Sequence, residues 1–159
     1  MDSDRLQKMP LFKKAMEILE IVDRIGNLVP EEEESLKVTA EFMRADAMQI
    51  PPKIAGAVGP GLYDLRMENA AIIRKCARQI YVSCNSFMNE GFTDTEYLEL
   101  LRNEIEEFRV LFAEWVKTFD KWDYIIDRWG LFNPPGINYD DKDPDDDIRF
   151  NNPFDETLE

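Results

Sequence analysis

Histidine is absent from all 159 residues. That removes the usual general base near neutral pH, the Ser-His-Asp and Cys-His nucleophile systems, and the helix-borne zinc and di-iron motifs that need an imidazole. Cysteine is nearly absent too. Cys76 and Cys84 are the two in the chain, eight residues apart in one helical pattern, which sets their backbones about 12 Å apart at the usual helical rise, too far to pair. Cys84 falls on the apolar stripe of that pattern and Cys76 beside it, so both read as buried, reduced thiols without a metal-binding partner motif. No stretch approaches the roughly 18 consecutive apolar residues of a membrane span, and no apolar run follows the charges of MDSDRLQKMPLFKK, so neither a span nor a signal peptide is expected. The expected location is cytoplasmic.

Positive charge is scarce. Nineteen Lys and Arg face 33 Asp and Glu, a formal charge of −14, which disfavours large sequence-independent binding to nucleic-acid phosphates. From Asp140 onward there are nine acidic and two basic residues, so the tail carries half of the excess. One domain with a sizeable core is the expectation for this length.

What the chain has is helical periodicity. Leu11, Ala15, Ile18, Val22, Ile25 and Val29 form an apolar series at spacings of four and three, punctuated by Gly26, Asn27 and then Pro30. A second series runs Leu36, Ala40, Met43, Ala47, Ile50, Ile54, Ala57 and crosses AMQIPPKIAGAVGPG, which packs three prolines and three glycines into residues 47–61. The alternation keeps its phase through Pro51 and Pro52, and a linker has no reason to hold that phase. The reading is one helix, kinked where the prolines remove the donors for the Ala47 and Met48 carbonyls. The competing reading is a clean break, with Pro52 in the first turn of a new helix. The chain then reverses at Gly59, Pro60 and Gly61, where positive φ is available.

A third series comprises Ala70, Ile73, Ala77, Ile80, Cys84 and Phe87, closed by Asn89, Glu90 and Gly91. The fourth opens with Thr93 and Glu96 as a capping box. It continues through Leu98, Leu101, Ile105, Phe108, Phe112, Trp115, Phe119, Trp122, Ile126 and Trp129 to Gly130. The spacing predicts a fourth helix near 47 Å long. The fold expected is all-α: an antiparallel up-down-up-down four-helix bundle over residues 1–136, with a Pro-kinked second helix and an extended acidic C-terminal arm over residues 137–159.

Ile50, Pro51, Ile54 and Ala55 resemble the Ser-Ile-Pro-x-x-Ile-Ala-Glu-Gly kink of small bacterial four-helix proteins encoded in ribosomal-RNA intervening sequences. They are similar as well to the accessory variability determinants of diversity-generating retroelements. The likeness covers roughly residues 10–120 and is reinforced by helix order and lengths. It implies a protomer that assembles as a ring, commonly a pentamer, without enzymatic activity. In the retroelement branch it also implies a reverse-transcriptase partner and nucleic-acid contacts through basic surfaces. Gly56 and Ala57 stand where the family pattern has Glu and Gly, and the acidic charge departs from the nucleic-acid branch.

Several residue groups qualify as candidate sites. Arg74, Lys75 and Arg78 share one face of the third helix, as a phosphate-binding patch would; neutralisation by neighbouring carboxylates is the commoner arrangement. Glu104 and Glu107 invite a carboxylate metal site, but neither occupies a seam position. A solvated face is expected there, with Glu99–Arg102 and Glu106–Arg109 as pairs. Leu100, Val110, Leu111, Tyr124 and Ile125 lie off the seam of the long fourth helix and suggest burial against a second protomer. Asp141, Asp143, Asp145 and Asp147 alternate like a calcium loop, yet the glycine and final glutamate of that loop are missing. Ile148, Phe150 and Phe154 interrupt the acids and suggest a docking arm. No catalytic residue, cofactor or metal site is expected. The function expected is a non-enzymatic, homo-oligomeric scaffold or adaptor engaging a protein partner, with a nucleic-acid-binding accessory role as the alternative.

Overall fold

The computed structural model describes residues 3–59 and 61–143, and among them every regular element is a helix. A short α1 (Ser3–Lys8), unanticipated in the sequence, precedes four long helices: α2 (Pro10–Leu28), α3 (Glu34–Val58), α4 (Tyr63–Asn89) and α5 (Thr95–Val116). Helix α2 packs against α3 and α5, and α4 packs against the same two. The four therefore enclose one core.

That core consists of the expected stripes. Leu11, Ala15, Ile18, Val22 and Ile25 are buried on α2, and Val29 is buried just past its end. Ala70, Ile73, Ala77, Ile80, Cys84 and Phe87 are buried on α4, with Cys76 beside them and both thiols free. Each fully buried Ile, Leu or Phe contributes about 1.5–3 kcal/mol, which is why a 3-4 spacing decides which face turns inward.

Helix α3 runs unbroken through Pro51 and Pro52, and Leu36, Met43, Ala47, Ile50, Ile54 and Ala57 are buried along one stripe. The in-phase reading holds and the clean break does not. Pro51 is itself buried, so its ring adds to the core, whereas Met48 and Pro52 lie on the exposed side, where water can reach the carbonyl that Pro52 leaves without a donor. Neither described glycine of the reversal after α3 is left-handed: Gly59 has φ −68°, Gly61 is not at positive φ, and positive φ occurs instead at Gly91, Gly130 and Gly136. Gly91 closes α4 as the turn signal implied, with the Phe92 amide donating to the Phe87 carbonyl at 3.0 Å and the two rings meeting edge to face.

Two expectations about the fourth helix fail. No capping box forms, because Asp94 occupies the N-cap without a side-chain bond. More consequentially, α5 stops at Val116, 13 residues short of Trp129. Thr118 donates its amide and its hydroxyl to the Trp115 carbonyl at 2.9 and 2.6 Å, which tightens and ends the last turn. Aspartates then supply the backbone with alternatives to helical bonding. Asp120 accepts the Trp122 amide, and Asp127 accepts those of Trp129, Leu131 and Phe132. Phe119 and Ile126 are still buried, but Trp122 is 64% and Trp129 96% exposed, so neither belongs to a seam.

Residues 117–143 form an irregular cap on the bundle, anchored where the Tyr63 amide donates to the Asp123 carbonyl at 2.8 Å. Arg128 reaches the carbonyls of Tyr139 and Asp141, so the chain beyond Gly136 folds back on the cap as far as it is described.

Candidate interaction surface

Helix α4 turns its outer face to solvent between two grooves. Arg74, Lys75 and Arg78 lie there, all exposed, and none makes an ion pair with a carboxylate among the described residues. The commoner arrangement, neutralisation by paired carboxylates, is not found among the described residues, although the Lys75 charge is felt at Asp46. Six other cations do have carboxylate partners: Lys14, Arg24, Lys37, Arg44, Arg109 and Lys117.

Between α4 and α5 lies a groove of about 590 Å³. Its α4 wall runs from Arg74 and Arg78 to Tyr81 and Val82, and its α5 wall from Phe108 through Phe112 to Val116. Arg102 stands near one end, its guanidinium bonded to Asn85 and stacked 5.2 Å from the centroid of the Tyr81 ring. The expected Glu99–Arg102 pair is replaced by these contacts, while Glu106–Arg109 forms at 2.9 Å. Val82, 60% exposed, divides this groove from a second of about 840 Å³ between α3 and α4, where Phe42 is 68% exposed. Phe42 and Val82 escaped the sequence reading. Phe42 and Val82 carried the signal that would have found them, being large apolar residues off the 3-4 stripe; Phe112 lies on the stripe but is only partly covered.

The second groove also holds the one described juxtaposition of a carboxylate, a thiol and a lysine. Asp46 and Lys75 line it, and the buried Cys76 thiol lies beside Asp46. Burial pushes both the Asp46 carboxyl and the Cys76 thiol above their ordinary values, and the Asp46 charge pushes Cys76 further. A nucleophilic thiol needs the opposite environment, one that stabilises thiolate. Burial raises Cys84 as well, to about 11.

Glu107 lies on the solvated face expected for the pair, with 62% of its side chain exposed, whereas Glu104, at 17%, does not. Both bind Lys14 of α2 at 2.7 Å, and Lys14 also meets Glu17 at 3.0 Å. These carboxylates, Glu104 foremost, hold the Lys14 ammonium above the ordinary lysine value. The cluster is an inter-helix bridge.

The residues assigned to a protomer interface do not form one patch. Leu100 and Val110 are exposed on α5, but ten residues of helix place them about 80° apart around its axis. Leu111 packs partly against the core, and Tyr124 and Ile125 belong to the cap, not to a helix. In the acidic arm, Asp141 accepts the Asn138 amide at 2.8 Å. Asp145, Asp147, Ile148, Phe150 and Phe154 lie outside the described residues. No described helix is long and apolar enough to cross a membrane. Comparisons with protein-family models, curated proteins and solved structures found no match.

Proposed function

We propose that this chain is a non-enzymatic helical scaffold or adaptor that self-assembles and receives a protein partner on the outer face of α4. The observation that carries the reading is the juxtaposition of Arg74 and Arg78, unpaired among the described residues, with the apolar walls of the α4–α5 groove, while Lys75 lines the adjoining α3–α4 groove. Carboxylates interrupted by aromatic or aliphatic side chains match both features, so the partner segment is acidic and amphipathic. A duplex backbone would use the three cations and leave the apolar walls uncovered.

Connections of five, four and five residues between the long helices support antiparallel neighbours, hence the up-down-up-down order. The likeness of the Ile50–Ala55 kink to intervening-sequence proteins supports a closed ring, and the raised Cys76 thiol speaks against a nucleophilic cysteine there. The nucleic-acid accessory role is the second reading, favoured by the side-by-side placement of Arg74, Lys75 and Arg78.

Fluorescence anisotropy separates the two. The probes are a labelled synthetic peptide of aspartates interrupted by phenylalanines, a short DNA duplex and an RNA hairpin. The expected result is saturable peptide binding that falls at least about tenfold in the Arg74→Glu, Arg78→Glu double variant, a loss of two charge-assisted contacts. Nucleic-acid binding at physiological salt is expected to be weak and without a steep salt slope. Submicromolar DNA or RNA binding with such a slope, lost in the same variant, overturns the reading.

A further inference from the structure

We infer that the segment received by the outer face of α4 is the cap of a second copy of this chain, with Trp129 and Leu131 of one copy seated in the α4–α5 groove of the next. This rests on the reading of that face as a recognition surface and names what it receives. Anchor and groove are different surfaces of one copy, so the contact is heterologous.

The anchor is held out in water by its own backbone. Trp129 is almost wholly exposed and Leu131 largely so, with Gly130 between them at φ +73° and the exposed Tyr139 against that glycine. The turn is nonetheless firmly built. The Asp127 carboxylate accepts the amides of Trp129, Leu131 and Phe132, Asn133 exchanges two bonds with the Asp127 backbone, and Arg128 ties the turn to the carbonyls of Tyr139 and Asp141. A turn already fixed in this way loses little conformational freedom when it docks. Tryptophan is also among the residue types that most often anchor an interface, through a large apolar ring with one polar edge.

The groove matches the anchor in size and in charge. Its volume of about 590 Å³ lies within the roughly 300–1,000 Å³ of clefts that bury most of a small ligand, and Tyr81, Val82, Phe112 and Val116 give it apolar walls. Arg74 and Arg78 on its α4 side have no carboxylate partner among the described residues, and a guanidinium stacks well on an indole face. The cap brings the opposite sign. Residues 117–143 hold six acids and four bases, and of the bases Lys117 is paired with Glu114 and Arg128 is turned to backbone carbonyls. Asp120, Asp123 and Asp127 alternate with Trp122, Ile125 and Trp129, which is the pattern of carboxylates interrupted by aromatic or aliphatic side chains that the α4 face calls for. Opposite charges around a shared apolar centre fix the orientation of such a contact.

Sedimentation of the full chain and of two variants tests this. Trp129→Ser removes the anchor but keeps the amide that Asp127 accepts, and Val82→Glu places a carboxylate on the groove wall one helical turn from Arg78. Both positions are exposed, so circular dichroism and thermal unfolding are expected to match those of the native chain. Each variant alone is expected to self-associate at least about 30-fold more weakly, the loss typical of one tryptophan anchor. Mixed in equal amounts, the two are expected to form a one-to-one pair, because one offers an intact groove and the other an intact anchor. Native-like assembly of either variant, or a mixture that stays monomeric, overturns the inference, as does a native chain that is monomeric at every concentration. The α4 reading fails separately, through the aspartate–phenylalanine peptide binding neither the native chain nor Trp129→Ser, whose groove is intact.

Discussion

Asp127 does in one side chain what a turn of helix would otherwise do for three amides. The bonds from Phe132, Leu131 and Trp129, at 2.8, 2.9 and 3.0 Å, hold its carboxyl below the ordinary 3.8, and Asn133 returns two bonds to the Asp127 backbone. A depressed folded value means that the stabilisation is fully present above the unfolded value and is lost as pH falls through the folded one. Amide exchange at Leu131 and Phe132 is therefore expected to accelerate, relative to the core amides, in a transition centred below pH 3.8. Asp127→Ala should show the fast exchange at neutral pH. Exchange that stays slow in that variant would mean the cap is held by its other contacts. Which amides Asp127 would bind was not legible in the sequence, where Asp127 was one acid among many. Lys14 was equally silent, because its partners lie 90 and 93 residues away. By contrast, the burial of Cys76 and Cys84 was legible from their helical positions alone.

At the scale of the element, α3 and α5 teach opposite lessons from the same periodicity. In α3 the apolar phase outweighed two prolines, because buried Ile50 and Ile54 stabilise the helix on both sides of the missing donors. Replacing exposed Pro52 by alanine returns a donor to the Met48 carbonyl at a modest cost in unfolded-chain entropy, so a gain of about 1–2 kcal/mol with unchanged helicity is expected in urea unfolding. A loss of stability would show that the surrounding helices are fitted to the proline geometry. In α5 the spacing continued through Phe119, Trp122, Ile126 and Trp129, yet the helix stopped at Val116. Phe119 and Ile126 reach the core from an irregular cap, so their 3-4 spacing was a coincidence of burial. Asp120, Asp123 and Asp127 carried the contrary signal, as residues whose side chains compete for backbone amides.

For the whole molecule, the proposed self-assembly is open to a direct measurement. One heterologous contact repeated around a ring leaves no copy with an uncovered face. Analytical ultracentrifugation of the full chain is expected to give a closed multimer, with a pentamer favoured by the family likeness. A monomer at every concentration would refute the ring, while leaving the α4 recognition face to its own test. The scatter of Leu100, Val110, Leu111, Tyr124 and Ile125 also shows why a contact surface was not legible in one dimension. The long fourth helix that would have placed Tyr124 and Ile125 beside Val110 does not exist.

The sequence by itself determined four apolar stripes, and with them the four long helices, the inward faces and the continuity of α3 through its prolines. Burial of a periodic stripe is a local pattern with a large summed free energy, so it can be read from neighbours in the chain. Only the tertiary structure decided that Lys14 would bridge Glu104 and Glu107, that Asp127 would organise a cap, and that Arg74 and Arg78 would border an apolar groove. Those arrangements depend on which side chains of distant segments come within a few ångströms, and helical spacing along one segment contains no term for that distance.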